Sequence, residues 1–149
     1  MSEENVQIMR RWFQEVWNEG KTETVRELLA TNAVTVGQSG PQSLIHGPAE
    51  FIAFVAQIRG AFPDIHVVVE DVFATDDKVA LRWSATMTHS GDGLGIPATG
   101  KPVRSTGITI ARIYDGQIVE GWDNWDQLGM WQQLGSYPSI ETEPLAKTA

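Results

Sequence analysis

The chain contains no cysteine, so disulfides, thiolate nucleophiles and Cys-ligated zinc are all excluded, and with them small secreted disulfide scaffolds and cysteine hydrolases. Any catalytic group must be a carboxylate, an imidazole, a hydroxyl or a lysine amine. Cations are scarce: 11 Lys and Arg stand against 19 Asp and Glu, a formal net charge of −8. Phosphate backbones and anionic lipid surfaces are bound chiefly through cationic patches, so neither nucleic acid nor a membrane is an expected partner. No run approaches the roughly 18 consecutive apolar residues of a membrane span, and Met1-Ser2-Glu3-Glu4-Asn5 has neither a basic nor an apolar targeting region. The expected location is the cytoplasm. Internal repeats are also lacking, and 149 residues leave room for one core: a single domain over 1–135 and a loose tail over 136–149.

What is present fits a packed globular chain, with 42% apolar residues, six Trp and five Phe. Ser2 with Glu3 and Glu4 reads as a helix start, and Val6, Met9, Phe13, Val16 and Trp17 recur at helical spacing up to a stop near Gly20. Thr22 caps a shorter helix through Leu28 and Leu29, Ala33–Val36 reads as a strand, and Pro48 suits the first turn of a third helix. Phe51, Ile52, Phe54, Val55 and Ile58 give that helix a broad apolar stripe, ending before Phe62-Pro63-Asp64.

From Ile65 the period changes to two: strands are predicted over Ile65–Phe73, Val79–Thr88, Val103–Tyr114 and Gln117–Trp125, with a short closing helix around Met130. Helices first and an antiparallel sheet after is the α+β pattern. A twisted sheet of this kind with helices on one face curls into a cone whose inside is a natural ligand pocket.

Tyr114-Asp115-Gly116 reads as a two-residue turn or as a three-residue loop with a Gly bulge. The three-residue reading puts Gly107, Thr109 and Ala111 on one face with Val119, Gly121 and Asp123, and Ile108 and Ile110 on the other with Ile118 and Trp122. The second set reads as packed core. The first is a set of small side chains around one carboxylate, which suits a sheet against which a ligand lies. Desolvation in an apolar pocket raises a carboxyl pKa, which would make Asp123 a general acid/base near neutral pH. The alternative is a solvated strand-end residue, or a partner for Arg82 or Arg112.

Phe62-Pro63-Asp64, Thr88-His89-Ser90-Gly91, Gly95-Ile96-Pro97-Ala98-Thr99-Gly100, Arg112-Ile113-Tyr114-Asp115-Gly116-Gln117-Ile118-Val119-Glu120 and Gln133-Leu134-Gly135 together resemble the SnoaL-like polyketide cyclases, in order and over nearly the whole chain. The resemblance implies the nuclear-transport-factor-2-like cone and a cofactor-free intramolecular aldol condensation that closes a ring of a polyketide methyl ester. The family's acid/base aspartate on the last strand matches Asp123. The anthracycline cyclases carry a His on the neighbouring strand, and its counterpart here is Thr109, whose hydroxyl donates a hydrogen bond but carries no charge at neutral pH.

His89 matches the family's Thr-His-x-Gly segment at the end of a strand; it faces the pocket mouth or donates to an enolate oxygen, or it is a plain hydrogen-bonded or exposed His. His46 lies near the cone opening or in a loop contact, and His66 on the outer side. The three His show no ligand spacing with carboxylates, so no metal is expected. Phe13, Trp17, Phe51 and Val55 line the cone from the helix side or fill the core, and Trp122 and Trp125 flank Asp123 as walls or as core and dimer contacts. Thr109 and Gly107 complete the expected substrate surface. Asp126 is most simply a helix N-cap.

Gly93-Leu94-Gly95-Ile96-Pro97-Ala98 imitates a dinucleotide fingerprint but joins two strands, and reads as a flap or a long hairpin loop. Gly37-Gln38-Ser39-Gly40 lacks the spacing of a nucleophile elbow. The expectation is thus a cofactor-free cyclase acting on a small hydrophobic carbonyl compound. The alternatives are a non-catalytic binding protein, or an isomerase, dehydratase or hydrolase on the same cone. A homodimer is expected, because an apolar outer sheet face needs a cover.

Overall fold

The computed structural model describes residues 2–136; apart from Ser136, the predicted tail lies outside the described residues. Helix α1 (Ser2–Arg11) opens with Glu3 and Glu4 and ends with Arg10 and Arg11, charges that complement its dipole at both ends. It runs on as a π-helical stretch, Trp12–Asn18, in which Glu19 N–H reaches back to the Gln14 carbonyl at 3.1 Å. The wider turn lets Trp12, Phe13 and Val16 all be buried. Gly20, at φ 71°, ends the segment.

Helix α2 (Thr22–Leu28) leads into strand β1 (Leu29–Val36), and a short strand β2 (Leu44–His46), which the sequence reading did not anticipate, pairs back on it. Helix α3 (Gly47–Ala61) carries Pro48 in its first turn, where a missing N–H costs nothing. Strands β3 (His66–Thr75), β4 (Lys78–Thr88), β5 (Pro102–Tyr114) and β6 (Gln117–Trp125) follow, then helix α4 (Gln127–Gln133). The six strands form one curved sheet in the order β2-β1-β6-β5-β4-β3, antiparallel except for the β1–β6 pair, which is parallel. The helices pack on one face, as the α+β cone requires. No helix among the described residues is long and apolar enough to cross a membrane.

Both readings of the β5–β6 hairpin contain part of the truth. Asp115 and Gly116 have φ of 51° and 77°, and Tyr114 pairs with Gln117, so the turn has two residues. A bulge then places Arg112 opposite Glu120 while Ile113 faces Ile118, leaving Val119 as the extra residue. The slip puts Thr109 opposite Asp123 and Ala111 opposite Gly121, so these residues share the face that the longer loop implied, in a register shifted by two residues.

The set read as core is corrected. Ile118 is buried, but Ile108, Ile110 and Trp122 lie on the outer sheet face with 54%, 39% and 37% of their surface exposed. The core is instead made where the helices meet the inner face, with Met9, Val16, Phe51, Val79 and Val103 among its most buried side chains.

The edge strand β3 is tied down by Asn18, whose amide both donates to the Val67 carbonyl (3.0 Å) and accepts from the Val67 N–H (2.6 Å). This imitates one step of a strand ladder and occupies edge groups that would otherwise be open. The Gly-rich loop after β4 is not free at its base. Gly91 N–H bonds the Ala61 carbonyl at 3.1 Å, and a Cβ at Gly91 would lie 1.8 Å from the Gly60 carbonyl oxygen.

Candidate active site

Alternation along the strands decides what reaches the concave face. On β4 the inward residues include Trp83, Ala85 and Met87, and on β5 Ser105, Gly107 and Thr109. Trp83 pairs with Gly107 across the two strands. A Cβ on Gly107 would meet the Trp83 ring at 2.3 Å and Trp125 Cβ at 2.9 Å, so glycine is what lets the indole lie flat on β5. Between the sheet and the helices remains a cavity of about 60 Å³, open at its mouth. Its walls are mostly aromatic and aliphatic, among them Phe13, Trp17, Phe54, Trp83 and Trp125.

Asp123, on β6, is the ionisable side chain in this lining. Burial pushes its carboxyl up to about 7, with the hydrogen bond from Thr109 opposing that rise. The remaining exposure of this half-buried residue is toward the cavity. Thr109 Oγ1 donates to Oδ1 and Gln38 Nε2 to Oδ2, so each oxygen has one neutral donor and no cation. The proposed partners are engaged elsewhere: Arg82 pairs with Asp71 at 2.8 Å, and Arg112 with Glu120 at 2.6 Å. A carboxyl without a counter-charge in an apolar cavity changes protonation state near neutral pH, which is what a group that both takes and returns a proton needs.

Two donors in a second layer fix the first two. Trp83 Nε1–H donates to Thr109 Oγ1 at 3.1 Å, and Trp125 Nε1–H donates to the backbone carbonyl of Gln38 at 2.8 Å. Gln38 is brought to Asp123 by a close approach of chains. Gly37 has φ 94°, and a Cβ there would lie 2.0 Å from the Asp123 carbonyl oxygen.

Of the residues singled out from the sequence, Phe13, Trp17, Asp123 and Trp125 line the cavity. Thr109 is buried beneath the carboxyl as its hydrogen-bond donor, and Gly107 acts through the room it leaves for Trp83. Phe51 and Val55 belong to the core behind the cavity wall, because α3 turns the neighbouring stripe, Phe54 and Ile58, inward. Trp122 points away from Asp123, as adjacent residues on a strand must, and its ring lies 5.8 Å from the Lys78 ammonium on the outer face.

His46 is exposed at the start of α3, with Nδ1 3.7 Å from Glu50. His89 is fully buried, one ring removed from the cavity behind Phe62, and its Nδ1 accepts the Thr99 N–H at 3.1 Å. Neither imidazole lines the cavity, nor does the loop read as a flap. Asp126 caps α4, accepting from Gly129 N–H at 2.9 Å, as its position implied.

The sequence reading missed Gln38 and Trp83. Trp83 had a legible signal in its period-2 alternation with Leu81 and Ala85. Gln38 had none, since only the parallel β1–β6 pairing brings its loop to Asp123.

A model of the SnoaL-like polyketide cyclases matches residues 7–134. The chain belongs to the SnoaL-like polyketide cyclase family. The aklanonic acid methyl ester cyclase DnrD of Streptomyces peucetius is 30% identical over 138 residues, covering 91% of this chain and 94% of that protein. Among solved structures, IdmH of Streptomyces antibioticus superposes with a TM-score of 0.76 at 33% identity, over 88% of this chain and 98% of that one. A SnoaL-like protein of Jannaschia sp. CCS1 gives 0.82 at 28%, over 92% and 95%. This SnoaL-like chain therefore shares fold and family with proteins of known cyclase name along nearly its whole length.

Proposed function

We propose that the protein closes a ring of a neutral polyketide-type β-keto ester by intramolecular aldol condensation, with Asp123 as general acid/base and no cofactor. The observation that carries this is the Asp123 carboxyl, without a counter-charge, on the wall of an aromatic cavity. The proton between two carbonyls of a β-keto ester is already acidic, so one carboxylate suffices to take it. The enolate carbon then attacks the second carbonyl, a carbon–carbon bond forms, and the new alkoxide takes the proton back from Asp123. Nothing is gained or lost in mass.

Among the described residues the lining contains no Lys or Arg, so a free carboxylate would meet an ionised Asp123 with no cation there to offset the repulsion. An ester avoids this. Gln38 and Ser105 are the uncharged polar side chains left to orient the substrate. The test is mass-resolved chromatography of polyketide methyl esters incubated with wild type and with Asp123→Asn. A new product of unchanged mass from wild type alone supports the reading. No product from either protein, with binding to both, turns the assignment to a non-catalytic binding protein.

A second copy of the chain is proposed as the cover of the outer sheet face. Phe73, Ala80, Ile110 and Trp122 form one cross-strand row there, and Phe73 and Ile110 keep 67% and 39% of their surface exposed. Light scattering that gives a dimer mass supports this, and a monomer mass refutes it.

A further inference from the structure

The oxygen of a threonine hydroxyl has two lone pairs and one hydrogen, and its rotor is free until its neighbours fix it. Thr109 has two such neighbours: Trp83 Nε1–H points at Oγ1 from 3.1 Å, and Asp123 Oδ1 lies within hydrogen-bond reach of the hydroxyl. An indole N–H is only a donor, so it occupies a lone pair of Oγ1 and leaves the hydroxyl hydrogen to be given away. We propose that Trp83 is a positioning residue that acts through Thr109: by holding the hydroxyl as a donor to Asp123 it sets how readily that carboxyl takes and returns a proton. The proposal deepens the acid/base reading of Asp123 and rests on it.

The placement is built, not incidental. Gly107 is the residue against which the indole lies, and any side chain there would displace it. From the helix side Phe13 packs against Trp83 at a tilt of 40°, with ring centroids 6.4 Å apart. The indole is therefore held between a strand and a helix, with its N–H directed along the sheet to Thr109.

Among the described residues no other charged side chain lines the cavity beside Asp123. The elements around the carboxyl present Phe13 and Trp17 from the π-helical stretch, Phe54 from α3, Val67 from β3 and Met130 from α4, all uncharged. On β6 and just after it the neighbouring acids are directed elsewhere, Glu120 to Arg112 and Asp126 to the α4 cap. Neutral hydrogen bonds are then the remaining means of adjusting a group whose pKa desolvation has raised, and a donor to the charged form lowers it. A hydroxyl whose oxygen already accepts a hydrogen bond is polarised into a better donor.

The test is a carbon-13 NMR titration of the Asp123 carboxyl in ligand-free protein, for wild type, Thr109→Val, Trp83→Phe and the double variant. Wild type is expected to titrate near 7. Loss of the donor in Thr109→Val raises the midpoint by about one pH unit, and Trp83→Phe raises it by roughly half as much. In the double variant the Trp83 change adds nothing, because its route is gone. A Trp83→Phe midpoint equal to wild type, or shifts that add in the double variant, overturns the proposal.

Should Trp83→Phe fail to fold, the nitrogen-15 resonance of the Trp83 indole gives the answer without it. In wild type that resonance follows the carboxyl midpoint, and in Thr109→Val most of this movement disappears although the carboxyl still titrates. An indole resonance indifferent to pH in wild type overturns the proposal equally. Turnover plays no part in these readings, so failure of the acid/base role, seen as activity retained in Asp123→Asn, is separable from failure of the link through Thr109.

Discussion

The two faces of β5 and β6 invert the usual order of a half-buried sheet. Such a sheet puts large apolar side chains inward and polar ones outward. Here the inward positions carry Gly107, Thr109, Ala111 and Gly121 around Asp123, while Ile108, Ile110 and Trp122 stand outside and partly exposed. Small residues inside leave volume for something that is not protein, and large ones outside prepare a surface for a second layer. Charge follows the same division. Outer carboxylates such as Asp71 and Glu120 have arginine partners, whereas the inner one has none among the described residues and is held by Thr109 and Gln38.

Interference with this division should give effects that fall off from the inside outward. The largest is expected for Asp123→Asn, which keeps the shape of the site and removes its base: turnover should fall about 10³-fold while ligand binding, measured by fluorescence of the cavity tryptophans, persists. Next comes Gly107→Val. Its side chain meets the Trp83 ring where even a Cβ would be at 2.3 Å, so the ring must move, and urea denaturation should report a loss of about 2–3 kcal/mol. Arg82→Ala, which removes an exposed outer ion pair, should cost less than about 0.5 kcal/mol in the same measurement.

A pH effect of opposite sign sharpens the contrast. The folded Asp123 carboxyl binds its proton more tightly than the unfolded one, so its contribution to stability is fully present below about pH 4 and is lost as pH rises through about 7. Asp123→Asn should therefore raise Tm at pH 8 by roughly 5 °C, and this gain should fade on acidification toward pH 4. Thermal scans at several pH values check both sign and window. The smallest effect on catalysis is expected for Ile110→Glu: the outer face loses its apolar row, light scattering should show monomer, and kcat/KM should stay within about twofold.

Much of the fold was legible because its strands alternate cleanly and end at turn residues. The limits of β6 and the cap at Asp126 were readable to the residue. Asp123 was legible too, though for an incomplete reason: the three-residue loop that located it gives the right face, and the chain reaches that face with a two-residue turn and an extra residue at Val119, two residues out of the expected register. Which stripe of a helix turns inward was not readable. Phe51 and Val55 are as apolar as Phe54 and Ile58, and the packing of α3 against its neighbours, not its own sequence, decides between them. Gln38 was hidden for a similar reason, since a loop that meets Asp123 through a parallel crossover leaves no local pattern. The outer isoleucines were misread because hydrophobic residues were assumed to face inward, where a ligand cavity needs small ones.

The central claim is that desolvation makes Asp123 a competent base near neutral pH. Its most direct test is the pH profile of kcat/KM for ring closure of a polyketide methyl ester, set beside the NMR titration of the Asp123 carboxyl in the same protein. The account predicts that the rate rises with pH through a midpoint near 7 that coincides with the carboxyl titration. A profile that is flat between about pH 5 and 9, or one whose midpoint lies near the ordinary carboxyl value of about 4, would contradict it.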